Sequence, residues 1–128
     1  MKKQIEQVKE FREKFNLPVN SRHHQGNVYV NKHLHERLIQ EELDEMKDAP
    51  DLTERCDAII DQMYLLIGYA LDLGVADRLE DMFTEVHESN MSKLGPDGKP
   101  VYREDGKVLK GPNYFRPDLN KIVWTKQS

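Results

Sequence analysis

One cysteine in a chain of 128 residues leaves no internal disulfide to make. Cys56 lies inside a helical apolar pattern with no histidine or aspartate at the spacing of a catalytic pair, so it is expected to be a packed, inert thiol. No apolar run approaches the roughly 18 residues of a membrane span, and the charged start Met1-Lys2-Lys3-Gln4 does not read as a secretory signal. Together these absences predict a cytoplasmic protein with no membrane partner. Basic charge is not in excess either. A net charge of −4 and a pI near 5.7 argue against general nucleic-acid binding, which needs a basic face to neutralise phosphates, so any anionic ligand must be held locally. There is no internal repeat and no low-complexity tract. At 38% apolar composition the chain suits a single domain over residues 1–128, with a helical core over about 2–93 and a different tail over about 94–128.

Helical periodicity dominates the first three quarters. Ile5, Val8, Phe11 and Phe15 predict a helix over 2–15 that ends before Leu17-Pro18. Residues 18–31 have no period and read as a loop carrying Arg22, His23 and His24, with Asn31 placed to cap an acidic helix over about 32–47. Asp51-Leu52-Thr53-Glu54 has capping-box spacing, and the apolar pattern that follows runs to Leu73 before Gly74 supplies a stop. Its apolar residues, among them Ile59, Ile60, Met63, Leu66 and Ile67, point in many directions, as in a helix covered on several sides by a bundle or a second subunit. A fourth helix is expected over about 75–92. Beyond it, Val101-Tyr102-Arg103 and Lys107-Val108-Leu109 flank Glu104-Asp105-Gly106 and predict a small β-hairpin. Leu119, Ile122, Val123 and Trp124 are placed to anchor the C-terminus.

The acids on the second and third helices carry the chemistry. With Glu41 at zero on a wheel of about 100° per residue, Glu45 falls at about 40° and Glu42 at about 100°. Leu34, Leu38, Met46 and Ile39 fall at about 20°, 60°, 140° and 160°, so the three acids sit within or beside the apolar arc. Charged and polar residues already fill the opposite arc. Asp57 and Asp61 are one turn apart on the next helix, on a stripe that continues through Tyr64 and Gly68. The short connection around Asp48-Ala49-Pro50-Asp51 makes these helices antiparallel neighbours, so Glu42 and Glu45 face Asp57 and Asp61. Glutamates four apart are ordinary on a solvated face. Acids misplaced toward the apolar sides of both adjacent helices are not, and the nearby sequence offers no matching set of Arg or Lys. Carboxylates gathered this way need a cation, and an all-oxygen set suits Mg²⁺ or Mn²⁺.

The Glu-Glu-x-x-Glu of Glu41, Glu42 and Glu45, followed by Asp57-Ala58-Ile59-Ile60-Asp61 and an aliphatic helix, resembles the all-α nucleoside triphosphate pyrophosphohydrolases, the MazG-like and dimeric dUTPase superfamily. Ser89-Asn90-Met91-Ser92-Lys93 and Gly111-Pro112-Asn113-Tyr114 look like the branch that carries a hairpin after the helices. One departure stands out. The superfamily shows Glu-x-x-Asp on its second acidic helix, whereas Ala58 stands three before Asp61. Glu54-x-x-Asp57 fits that string in another register, but Asp61 precedes the aliphatic run, and Glu54 reads as the capping acid.

The resemblance implies an all-α, four-helix MazG-like bundle completed by a homodimer or homotetramer. It also implies cleavage of a nucleoside triphosphate between its α- and β-phosphates. Metal ligands would be Glu42, Glu45, Asp57 and Asp61, holding Mg²⁺ or Mn²⁺, with Glu41 orienting the attacking water or taking its proton. Asn90 and Lys93 would touch substrate phosphates, and dUTP or a related deoxynucleotide is the expected substrate. The competing class is a nucleotide-sensing or partner-binding helical module without turnover, against which the intact acids speak.

Overall fold

The computed structural model describes residues 1–21 and 31–124. Arg22, His23 and His24 lie outside the described residues. The chain divides into two compact units, Met1–Asp77 and Arg78–Ser128.

The first unit is three helices. Helix α1 (Lys2–Lys14) buries Val8 and Arg12, and helix α2 (Lys32–Asp48) buries His35. Helix α3 (Leu52–Leu73) is held at both ends by the expected devices. Asp51 accepts a hydrogen bond from the Glu54 N–H at 2.8 Å, and Gly74 closes the helix in the left-handed region at φ 79°. Ala49 before Pro50 is extended and buried, which turns the chain back so that α2 and α3 lie side by side. Helix α1 packs on the C-terminal half of α3, where Gly68 leaves room for the Arg12 and Val8 side chains. The Phe11 ring stacks on Phe15 at 4.5 Å and meets Tyr64 edge-on at 5.6 Å.

Helix α3 is covered on one side only. Ala58, Ile67, Gly68, Ala70 and Leu71 are buried, whereas Ile59, Ile60, Met63 and Leu66 are 48%, 58%, 47% and 53% exposed. Cys56 is exposed too, against the expectation of a packed thiol. The reason is the same for all five: they occupy the side of α3 that α1 and α2 leave uncovered.

A 3₁₀ turn (Ala76–Arg78) runs across the boundary into helix α4 (Leu79–Met91) of the second unit, on which a single short turn of helix, α5 (Asn120–Val123), packs. The tail is strapped to α4 by polar contacts. Ser89 donates to Phe115 O at 2.8 Å, Glu85 accepts from the Asp118 N–H at 3.0 Å, and Arg78 donates to Val123 O at 3.0 Å. The expected β-hairpin is not formed. Among the described residues there are no strands, only one antiparallel bridge between Tyr102 and Val108. The Asp-Gly turn is present, with Gly106 at φ 86° and its N–H on Arg103 O. Of its three-residue arms only Leu109 is half-buried and the rest stay exposed, and a two-stranded ribbon with so little apolar face to bury does not extend. No single helix among the described residues is long and apolar enough to cross a membrane.

Candidate active site

Four of the five acids expected to form the site, Glu42, Glu45, Asp57 and Asp61, act on one another. Glu42 is half-buried, and its Oε2 atom is shut away from solvent with no hydrogen-bond partner. Burial raises its carboxyl above the ordinary range, and the charge of Glu45, the charge of Asp61, hydrogen bonding with Glu45 and the charge of Asp57 add to the rise. Asp61, also half-buried, is raised by burial and then by Asp57 and Glu45. Helix α2 thus delivers Glu42 and Glu45, and α3 delivers Asp57 and Asp61, to one patch of negative charge.

Glu41 is exposed and is not among the charges acting on Glu42 or Asp61. Glu45 is exposed as well. The buried arc of α2 explains both positions. It is centred on His35 and Glu42, with Met46 and Ile39, at about 100° to 160° on the wheel, so Leu34 at about 20° is left exposed together with Glu41 at its edge. Asn90 and Lys93 belong to the second unit. There Asn90 is exposed on the last turn of α4 and Lys93 is half-buried just beyond it.

Among the described residues, no three acids, histidines or cysteines already stand in a metal-coordinating arrangement. The chemistry of the donor set nonetheless fits a hard divalent cation. The donors are all carboxylate oxygens, they repel one another, and one buried oxygen lacks any partner. A cation-free protein is therefore expected to lose stability as pH rises. The folded-state values of Glu42 and Asp61 are raised, so their contribution is complete below the ordinary carboxylate range and is lost as pH passes through the raised values. Mg²⁺ at about a hundred times its dissociation constant is expected to restore about 2.7 kcal/mol. Thermal melts in Mg²⁺ and in chelator across the acid-to-neutral range check this. Coincident curves would count against a cation site.

Sequence reasoning missed a second polar cluster, at the far end of α3. Asp72 is 2% exposed, and its Oδ2 lies 2.7 Å from His35 Nε2, accepts from Asn31 Nδ2 at 2.9 Å and stands 4.0 Å from Arg12 Nη2. Asn31 therefore uses its side chain on Asp72 and, contrary to expectation, does not cap α2. The Asn20 N–H donates to Leu71 O, its side-chain amide donates to Asp72 O, and the His35 ring stacks on Tyr69 at 4.3 Å. One aspartate thus ties α1, α2 and the residues flanking the 22–30 segment to α3. The available signal was an acid inside Leu71-Asp72-Leu73, one turn beyond Gly68 on the stripe of Asp57 and Asp61.

Antiparallel helices that converge four carboxylates, within an otherwise helical chain, are the arrangement of the MazG-like all-α nucleoside triphosphate pyrophosphohydrolases. The family model for phosphoribosyl-ATP pyrophosphohydrolase, a member of that superfamily, matches residues 8–90, and the chain belongs to this family. Comparison with curated proteins returned no match. The family makes the chain a pyrophosphohydrolase of the nucleoside triphosphate type, a hydrolase acting on acid anhydrides.

Proposed function

We propose that the chain is a divalent-cation-dependent enzyme that splits a nucleoside triphosphate between its α- and β-phosphates, giving a monophosphate and pyrophosphate. The observation that supports it most is the buried, unpartnered Oε2 of Glu42 among Glu45, Asp57 and Asp61. Those four acids would hold Mg²⁺ or Mn²⁺, which when bound would supply charge neutralisation of phosphate oxygens and a lowered pKa for water. Glu41, exposed at the edge of the cluster, is free to orient the attacking water and receive its proton. Asn90 and Lys93 contact the phosphates. For the base and sugar we favour deoxyuridine, because the Ser89 to Lys93 and Gly111 to Tyr114 segments resemble the dUTPase-like branch.

The test is a nucleotide panel that includes dUTP, the canonical triphosphates and phosphoribosyl-ATP, run with Mg²⁺, Mn²⁺ or chelator. Pyrophosphate and orthophosphate are scored separately. Pyrophosphate release with dUTP, lost in chelator, is the expected result. Orthophosphate alone, or turnover unaffected by chelator, refutes the reading.

The proposed working form is a homodimer built on α3. Leu52, Cys56, Ile59, Met63 and Leu66 alternate steps of four and three, the spacing of a helix seam, and all are exposed. Such a stripe is self-complementary about a two-fold axis. Sedimentation at micromolar concentration is expected to find a dimer or tetramer, and Met63→Glu is expected to release monomer. A wild-type monomer would refute it.

A further inference from the structure

The tail reverses the charge balance of the chain. Basic residues outnumber acidic ones between Lys93 and Lys121, although the whole chain carries −4. Some of these cations are engaged. Arg103 is clamped to Asp105, and Lys121 pairs with Glu85 at 3.4 Å. Lys93 and Lys110 have no carboxylate partner among the described residues.

Gly111 brings the backbones that carry these two lysines together. Its N–H donates to Lys93 O at 2.9 Å, and a Cβ on it would stand 2.5 Å from Leu94 O and 2.8 Å from Lys93 O. Only glycine permits this approach, so the residue after Lys110 is locked against the residue that carries the other charge. The backbone then turns, with the Tyr114 N–H on Gly111 O at 3.2 Å. That turn sets the Tyr114 ring 4.8 Å from the Lys110 ammonium. Lys93 is steadied in turn by its N–H on Asn90 O at 3.2 Å. Both ammonium groups therefore spring from a fixed backbone. The nearby C-terminal end of α4 repels anions, so holding one there takes both cations together.

We propose that Lys93 and Lys110, whose backbones Gly111 brings together, form a paired-lysine grip for a condensed phosphate chain. Lys110 is the new member of this grip, which rests on the triphosphate substrate proposed above. Two ammonium groups suit a polyphosphate because each is a compact charge with freely rotating donors.

Calorimetric titration of the full chain with inorganic tripolyphosphate in chelator isolates the grip, because the cation-free acid cluster repels this probe. Wild-type protein is expected to bind. Lys110→Ala and Lys93→Ala are each expected to weaken binding about tenfold, the loss of one charge-assisted contact. Lys110→Arg is expected to retain it. Gly111→Ala, which removes no charge, is expected to weaken it as well, with thermal melts reporting whether each variant is folded. Lys14→Ala, an exposed lysine on α1, serves as control and is expected to change nothing. No binding by the wild type, unchanged binding by Lys110→Ala, or an equal loss in Lys14→Ala overturns the grip. Turnover of nucleotides in Mg²⁺ is measured separately. A protein that grips tripolyphosphate without turnover overturns the proposed function alone, and the reverse overturns the grip alone.

Discussion

Asp61→Asn is expected to abolish pyrophosphate release while leaving a folded protein of equal or greater stability in chelator. The amide keeps the shape of the side chain and removes one of the negative charges proposed to hold the cation. It also removes a repulsion. Burial, Asp57 and Glu45 all oppose ionisation of Asp61, and Asp61 in turn opposes ionisation of Glu42, so a neutral group here relieves the cation-free cluster. Activity and stability should move in opposite directions, which a purely structural role for Asp61 does not produce. Asp44→Asn is the matched control. Asp44 is exposed and accepts a 3.0 Å hydrogen bond from Gln40, so the stability of the variant should shift by less than about 0.5 kcal/mol with turnover intact. Nucleotide hydrolysis in Mg²⁺ and a thermal melt in chelator for both variants decide the matter. Near wild-type turnover by Asp61→Asn would remove the acid cluster from the mechanism.

The helices and the convergence of Glu42, Glu45, Asp57 and Asp61 were legible because periodicity and loop length are local properties of the chain. Capping by Asp51 and Gly74 followed from residue type alone. What escaped the sequence depended on which face meets which partner. Leu34 and Leu38 drew the apolar arc of α2 toward Glu41, yet the buried centre of that helix is polar, at His35 and Glu42. Hydrophobicity cannot mark a face whose middle is filled by polar side chains, one satisfied by Asp72 of α3 and the other among the acids of the cluster. Cys56 was misread for the converse reason, since an apolar pattern reports only that a surface needs covering. The hairpin failed because its turn signal is local, whereas extended pairing needs a face to bury.

The same blindness hid Asp72, and its removal is expected to be the most damaging single change in the first unit. Asp72→Ala leaves the buried Arg12 guanidinium, which burial already disfavours and Asp72 supports, without its counter-charge. It also takes away the carboxylate that meets His35 at 2.7 Å and Asn31 at 2.9 Å. Breaking a buried pair from one side costs about 3–5 kcal/mol, a large share of the roughly 5–15 kcal/mol that holds a domain folded. The deficit arises from stranding the partners, so it should shrink when they are removed together. Arg12→Met combined with Asp72→Asn is expected to be less destabilised than the sum of the two single changes, because the uncompensated cation is gone. Denaturant unfolding of the two single variants and the double variant, alongside Asp72→Ala, measures these costs and the coupling. If Asp72→Ala loses under about 1 kcal/mol, or the double variant is simply additive, the cluster is not what ties α1 and α2 to α3. Activity offers an independent reading. Asp72 lies on the same helix as Asp57 and Asp61, more than two turns from either, so a folded Asp72→Asn protein should keep the proposed cation requirement even where its melting temperature has fallen.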